Sequence, residues 1–199
     1  MKSSVIPKTG LWGRWFRANL LGFALSNFLL GIVDLAVDFF GAHGNPLGFV
    51  AHIIAVILGG AIVGFLQIRS LRTPFEKANW WIPISAVVYP LSFIAGEALG
   101  GLPFGLLASF TLFGILSGIL QSSFLRRNTA RASWWVLIST LGFGAGGLVG
   151  STVILAAFTF GGTAILDTMP LLPAFTIIGG ISGGVAGAIT GFGLVRLLR

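Results

Sequence analysis

The sequence predicts an all-α integral membrane protein of six transmembrane helices, arranged as three parallel-repeat hairpins with both termini cytoplasmic. Three observations carry that prediction. The 199 residues are 55% hydrophobic and 9% charged, with a mean hydropathy of +0.98, too little polar surface to cover a water-soluble globule of this size. The twelve Lys and Arg residues all fall before the first apolar stretch or after an even-numbered one. Gly60 to Ser85, moved forward by 54 residues, lies on Gly114 to Ser139 without a gap, and eleven of the 26 positions are identical.

A helix needs about 20 apolar residues to cross the hydrocarbon, and six stretches meet that length, at 16–38, 47–68, 80–99, 103–125, 134–158 and 171–195. The first follows Lys2, Lys8, Arg14 and Arg17. It is long and no small-residue cleavage site closes it, so it reads as a helix and not a secretory signal. The second follows a Gly-rich turn with Pro46 and ends at Arg69, Arg72 and Lys77. The third opens on Trp80-Trp81 and contains Tyr89-Pro90, which is expected to kink it. The fourth follows Pro103 and ends at Arg126, Arg127 and Arg131; the fifth opens on Trp134-Trp135; the sixth follows Pro170 and Pro173 and ends at Arg196 and Arg199.

The positive-inside rule places the basic ends in the cytoplasm. The opposite side carries Asp34, Asp38, Glu97, Asp167, His43 and His52, and of the acids only Glu76 is on the basic side. Residues 1–199 thus form a single transmembrane domain of hairpins at about 11–72, 80–126 and 134–199, with a pseudo-threefold axis along the membrane normal. The third copy aligns Gly184, Ala188, Val195 and Arg196 with Gly114, Gly118, Leu125 and Arg126 at a shift of 70, so that Gly191 replaces Gln121. The first copy keeps its inner Trp and little else.

Trp12, Trp15, Trp80, Trp81, Trp134 and Trp135 lie at the inner entrances of the odd helices. An indole suits the headgroup depth, so they are expected as interfacial anchors. Gly60/Gly64, Gly114/Gly118, Gly142/Gly146/Gly150 and Gly179/Gly183/Gly187/Gly191 form stripes at a spacing of four. Such stripes pack helices within a chain or against a neighbouring one. Gln67 and Gln121 are expected to tie hairpin ends to neighbouring backbone carbonyls, and Asn27 to make an interhelical hydrogen bond.

Asp34 and Asp38 share a helix face near the outer edge of the hydrocarbon, and Glu97 lies at similar depth. Negative charge at a helix C-terminus calls for compensation, and His52 is the candidate at matching depth. Asp34, Asp38, His52, Glu97 and Asp167 therefore form a candidate ion or solute rim. Zero cysteines remove disulfides, thiolate nucleophiles and Cys-ligated metals; no cofactor or metal is implied by the sequence. His43 and His52, which could ligate a haem or chlorin metal, differ in setting, one in a Gly-rich turn and one on a helix, and read first as interfacial histidines with polar partners. Gly180-Ile181-Ser182-Gly183 has the G-x-S-G pattern of rhomboid proteases but no histidine follows it. No zinc-protease, P-loop or dinucleotide fingerprint is present. The net charge of +7 arises from inner-loop cations suited to anionic headgroups, not nucleic acid.

The pattern G-x-x-x-G-x-x-Q, L-R, A-x-W-W over Gly60 to Ser85 and Gly114 to Ser139 resembles a repeat of uncharacterised bacterial polytopic membrane proteins. That resemblance implies a Gly-rich multi-helix protein of a bacterial inner membrane and assigns no functional residue. The sequence thus favours a non-enzymatic structural or accessory protein that packs through glycine faces into a homo-oligomer or with other membrane proteins, amid membrane lipids. The alternative is a small-solute or ion permease, or the substrate-binding membrane subunit of an importer, using the acidic rim.

Overall fold

The computed structural model describes residues 10–42, 44–71, 80–101, 103–126, 129–168 and 171–198, without the side chains of 161–168 and 171. The described residues form six helices and no strand: α1 (Leu11–Phe39), α2 (Pro46–Leu71), α3 (Trp81–Gly100), α4 (Phe104–Leu125), α5 (Trp134–Thr168) and α6 (Leu171–Leu197). Each is long and apolar enough to cross a membrane, and the chain is an integral membrane protein. The expected spans hold to within three residues except in α1, which begins five residues earlier at Leu11, and α5, which runs on to Thr168. No proline interrupts it before Pro170, and glycines such as Gly161 and Gly162 are tolerated in membrane helices.

Each helix packs on its neighbours in the chain, and α6 returns to pack on α1, which closes a ring. Successive helices run in opposite directions, so Arg14, Arg17, Arg69, Arg126, Arg131 and Arg196 share one end, the basic end. Asp34, Asp38, His52 and Glu97 share the other, the acidic end.

Glycines set how closely the helices approach. A methyl on Gly60 would overlap the Ser85 carbonyl oxygen, one on Gly114 that of Ser139, one on Gly146 that of Ser182 and one on Gly183 that of Asn19. Only a residue without a side chain admits a neighbouring backbone this near.

The ring is filled from inside by two side-chain layers. At the basic end Trp15 meets Trp81 and Trp135 edge-on, with ring centroids 6.1 and 5.8 Å away. Leu11, Leu71, Leu125 and Leu194 complete this layer. Further along, Phe23 stands within 5.0 to 5.8 Å of the rings of Tyr89, Phe110, Phe113 and Phe143. Edge-to-face aromatic pairs add about 0.5–1.5 kcal/mol each beyond the area they bury.

Candidate functional site

At the acidic end α1 is followed by a turn through Gly41 and Gly44, with φ of 62° and 74°, left-handed conformations that glycine adopts without strain. The Asn45 side-chain oxygen then accepts the Leu47 backbone N–H at 3.0 Å, and Pro46 opens α2. A capping Asn followed by Pro is a strong helix start. This start sets His52 in the second turn of α2, opposite Asp34.

His52 Nε2 lies 2.5 Å from Asp34 Oδ1, and His52 Nδ1 lies 2.8 Å from the Gly48 carbonyl oxygen. A carbonyl only accepts, so Nδ1 carries hydrogen, and a single proton is held between Nε2 and the carboxylate. The pair is about a quarter exposed. It borders a cleft of about 580 Å³ walled by Val37, Ala42, Asn45, Phe49 and His52. The partner expected for Asp34 is thus His52, in direct hydrogen-bond contact.

Glu97, on α3, stands apart from this pair. Asp38 is exposed in the last turn of α1. Glu97 is exposed on α3, and its carboxylate sits against Gly105 in the first turn of α4, where the positive end of the helix dipole offsets its charge. The Asp167 side chain and His43 lie outside the described residues. Among the described residues no group of three His, Asp or Glu side chains converges as a metal site would require.

At the basic end the expected anchoring role is corrected for half of the tryptophans. Trp15, Trp81 and Trp135 are 0, 3 and 0% exposed, facing one another inside the ring, whereas Trp12, Trp80 and Trp134 are exposed. Adjacent positions on a helix point about 100° apart, so one Trp of Trp80-Trp81 and of Trp134-Trp135 turns inward, and Trp12 and Trp15, three positions apart, still differ by about 60°. Each buried indole N–H has a polar acceptor: Trp81 donates to Gln67 Oε1 at 2.8 Å, Trp135 to Gln121 Oε1 at 3.0 Å and Trp15 to Thr190 Oγ1 at 2.8 Å. Gln67 and Gln121 therefore serve indoles, not the backbone carbonyls expected of them. Gln67 Nε2 also donates to Asn19 Oδ1 at 2.9 Å.

The third acceptor, Thr190, lies 69 residues after Gln121, and the same offset places Gly183, Gly187 and Leu194 against Gly114, Gly118 and Leu125. The expected shift of 70, with Gly191 in the Gln position, is one residue out of register. Asn19 and Phe23 of α1 occupy the places that Ser85 and Tyr89 hold in α3, Gly183 packing on both as Gly60 does on Ser85 and Tyr89.

The glycine stripes are met from within the chain. Gly64 and Gly118 face Ser85 and Ser139; Gly142 faces Thr190; Gly150 faces Ser182; Gly179 faces Asn27; Gly187 faces Asn19; Gly191 faces Trp15. Of the two roles open to these stripes, packing within the chain or against a neighbour, these contacts fill the first. Asn27 donates to the Phe23 carbonyl of its own helix at 2.8 Å, makes the expected interhelical hydrogen bond to the Tyr89 side chain of α3, and borders an internal cavity of about 40 Å³ with Tyr89, Ser92 and Ser109. Comparison with protein-family models, curated proteins and solved structures finds no match.

Proposed function

We propose that the protein is a non-catalytic integral membrane component with a structural or accessory role in a homo-oligomer or larger membrane assembly, three equivalent helix pairs forming a rigid core. One observation carries the reading: along the ring axis the interior is occupied by packed Trp and Phe side chains, and the enclosed space beside them is about 40 Å³, on the scale of one ordered water and little more. Ser182 of the G-x-S-G stretch supports the non-catalytic part, being buried against the α5 glycines. With the glycines engaged internally, partner contacts fall to the bulkier lipid-facing surface. The setting proposed is a bacterial inner membrane with the basic end in the cytoplasm.

Mass measurement of the full chain in mild detergent tests this. Particles containing more than one 20.9 kDa chain, or a second protein, are expected. The permease reading rests on the Asp34–His52 pair beside its open cleft, and the Asp34→Asn/Glu97→Gln variant separates the two. The scaffold account predicts unchanged assembly and no solute flux in vesicles with or without the substitutions. A single-chain particle whose flux disappears in the double variant would replace it with transport.

A further inference from the structure

Between α5 and α6 at the basic end runs an open groove of about 580 Å³, with Arg131 and Arg196 at its rim and Trp134, Ile138, Leu141 and Ile189 along its wall. We propose that this groove binds one anionic phospholipid, the phosphate lying between the two arginines and an acyl chain running along the apolar wall.

Four features converge on that ligand. The wall is apolar and on the outside of the bundle, with Trp134, Leu141, Ile189 and Phe192 exposed, and both cations stand at its basic end. Arg131 and Arg196 are exposed, and the described acidic side chains, Asp34, Asp38 and Glu97, are all at the far end of the bundle. The Arg196 guanidinium lies 4.3 Å from the centre of the Phe192 ring, which holds it at the groove edge with its N–H donors available to a phosphate. Gly193 lets the Ile138 side chain lie against the α6 backbone, which forms the floor. At the corresponding place in the α3/α4 seam, 69 residues earlier, Phe124 stands instead of Gly193.

Basic pockets between membrane helices select anionic headgroups, at about fivefold per cation near the surface. The site therefore prefers an anionic lipid over a zwitterionic one by about thirty-fold for two arginines. It holds whether the protein is a scaffold or a permease.

Native mass spectrometry of the full chain, titrated with dioleoyl phosphatidylglycerol or dioleoyl phosphatidylcholine, tests the proposal. One tightly retained phosphatidylglycerol per chain is expected. Its preference should fall to near parity in Arg131→Gln/Arg196→Gln and persist in Arg17→Gln/Arg126→Gln, which removes the same charge from the same end. Leu141→Trp, at an exposed position, should fill the apolar wall and weaken retention with both cations in place. Equal retention of the two lipids by the unaltered protein would overturn the site. So would equal loss in the two arginine pairs, or no effect of Leu141→Trp.

Discussion

A buried indole exposes the balance of forces at a single residue. Trp is large and mostly apolar, yet its N–H must find an acceptor once water is excluded, or the chain bears about 1–3 kcal/mol. Here Gln67, Gln121 and Thr190 supply those acceptors. The two glutamines are not equal, because Gln67 also satisfies Asn19. Gln121→Leu should cost about 1–2 kcal/mol by leaving one donor unpaired, and Gln67→Leu about 2–3 kcal/mol by leaving a donor and an acceptor. Thermal unfolding in mild detergent checks the order, and a larger loss in Gln121→Leu would contradict the network. Trp80→Phe, at an exposed neighbour, should stay within about 0.5 kcal/mol of the parent.

At the scale of the helices, the sequence was most legible where repeats are contiguous. Charge placement and apolar length located all six elements, and the 54-residue shift set a Gln and a Trp pair at matching positions of α2/α3 and of α4/α5 without showing that they bond one another. The Asp34–His52 pair was legible from depth alone, since two helices joined by a short turn bring equal depths together. The third pairing was hidden for a physical reason: its halves are α6 and α1, the two ends of the chain, so Thr190 and Trp15 stand 175 positions apart. A Thr in place of Gln, and Asn19 and Phe23 in place of Ser85 and Tyr89, removed the remaining signal while keeping the contact. Which Trp of a pair faces inward was equally hidden, because both positions are Trp and only the packed neighbours distinguish them. Since the α6/α1 seam repeats the contacts made across the 72–80 and 126–133 connections, a circular permutant joined from α6 to α1 by a short linker and opened between 126 and 131 should fold. Retained unfolding temperature within a few degrees is the expected outcome; loss of the folded state, with the linker lengthened as a control, would mean the seams are not equivalent.

The whole molecule is a ring of antiparallel helices whose sides meet through glycine and whose middle is filled by aromatic rings. Backbone groups are satisfied within each helix, as the hydrocarbon demands, and Asn19, Gln67, Gln121 and Thr190 are hydrogen-bonded in the core, whereas the buried hydroxyls of Ser85, Ser92, Ser139 and Ser182 have no hydrogen-bond partner. Close packing without a hydrophobic driving force between helices depends on shape, so the ring is only as secure as its closing seam. That seam can be tested in isolation because the chain contains no cysteine. A Cβ built on Gly180 would lie 3.5 Å from that of Ala24, within the range a disulfide spans. Introducing Ala24→Cys with Gly180→Cys and oxidising intact membranes should give a single crosslinked chain of monomer mass, its 1–126 and 131–199 parts held together after cleavage of the intervening loop until a reductant is added. Separation of those parts under non-reducing denaturing conditions, or a covalent dimer in place of the internal bond, would contradict closure of the ring by α1 and α6.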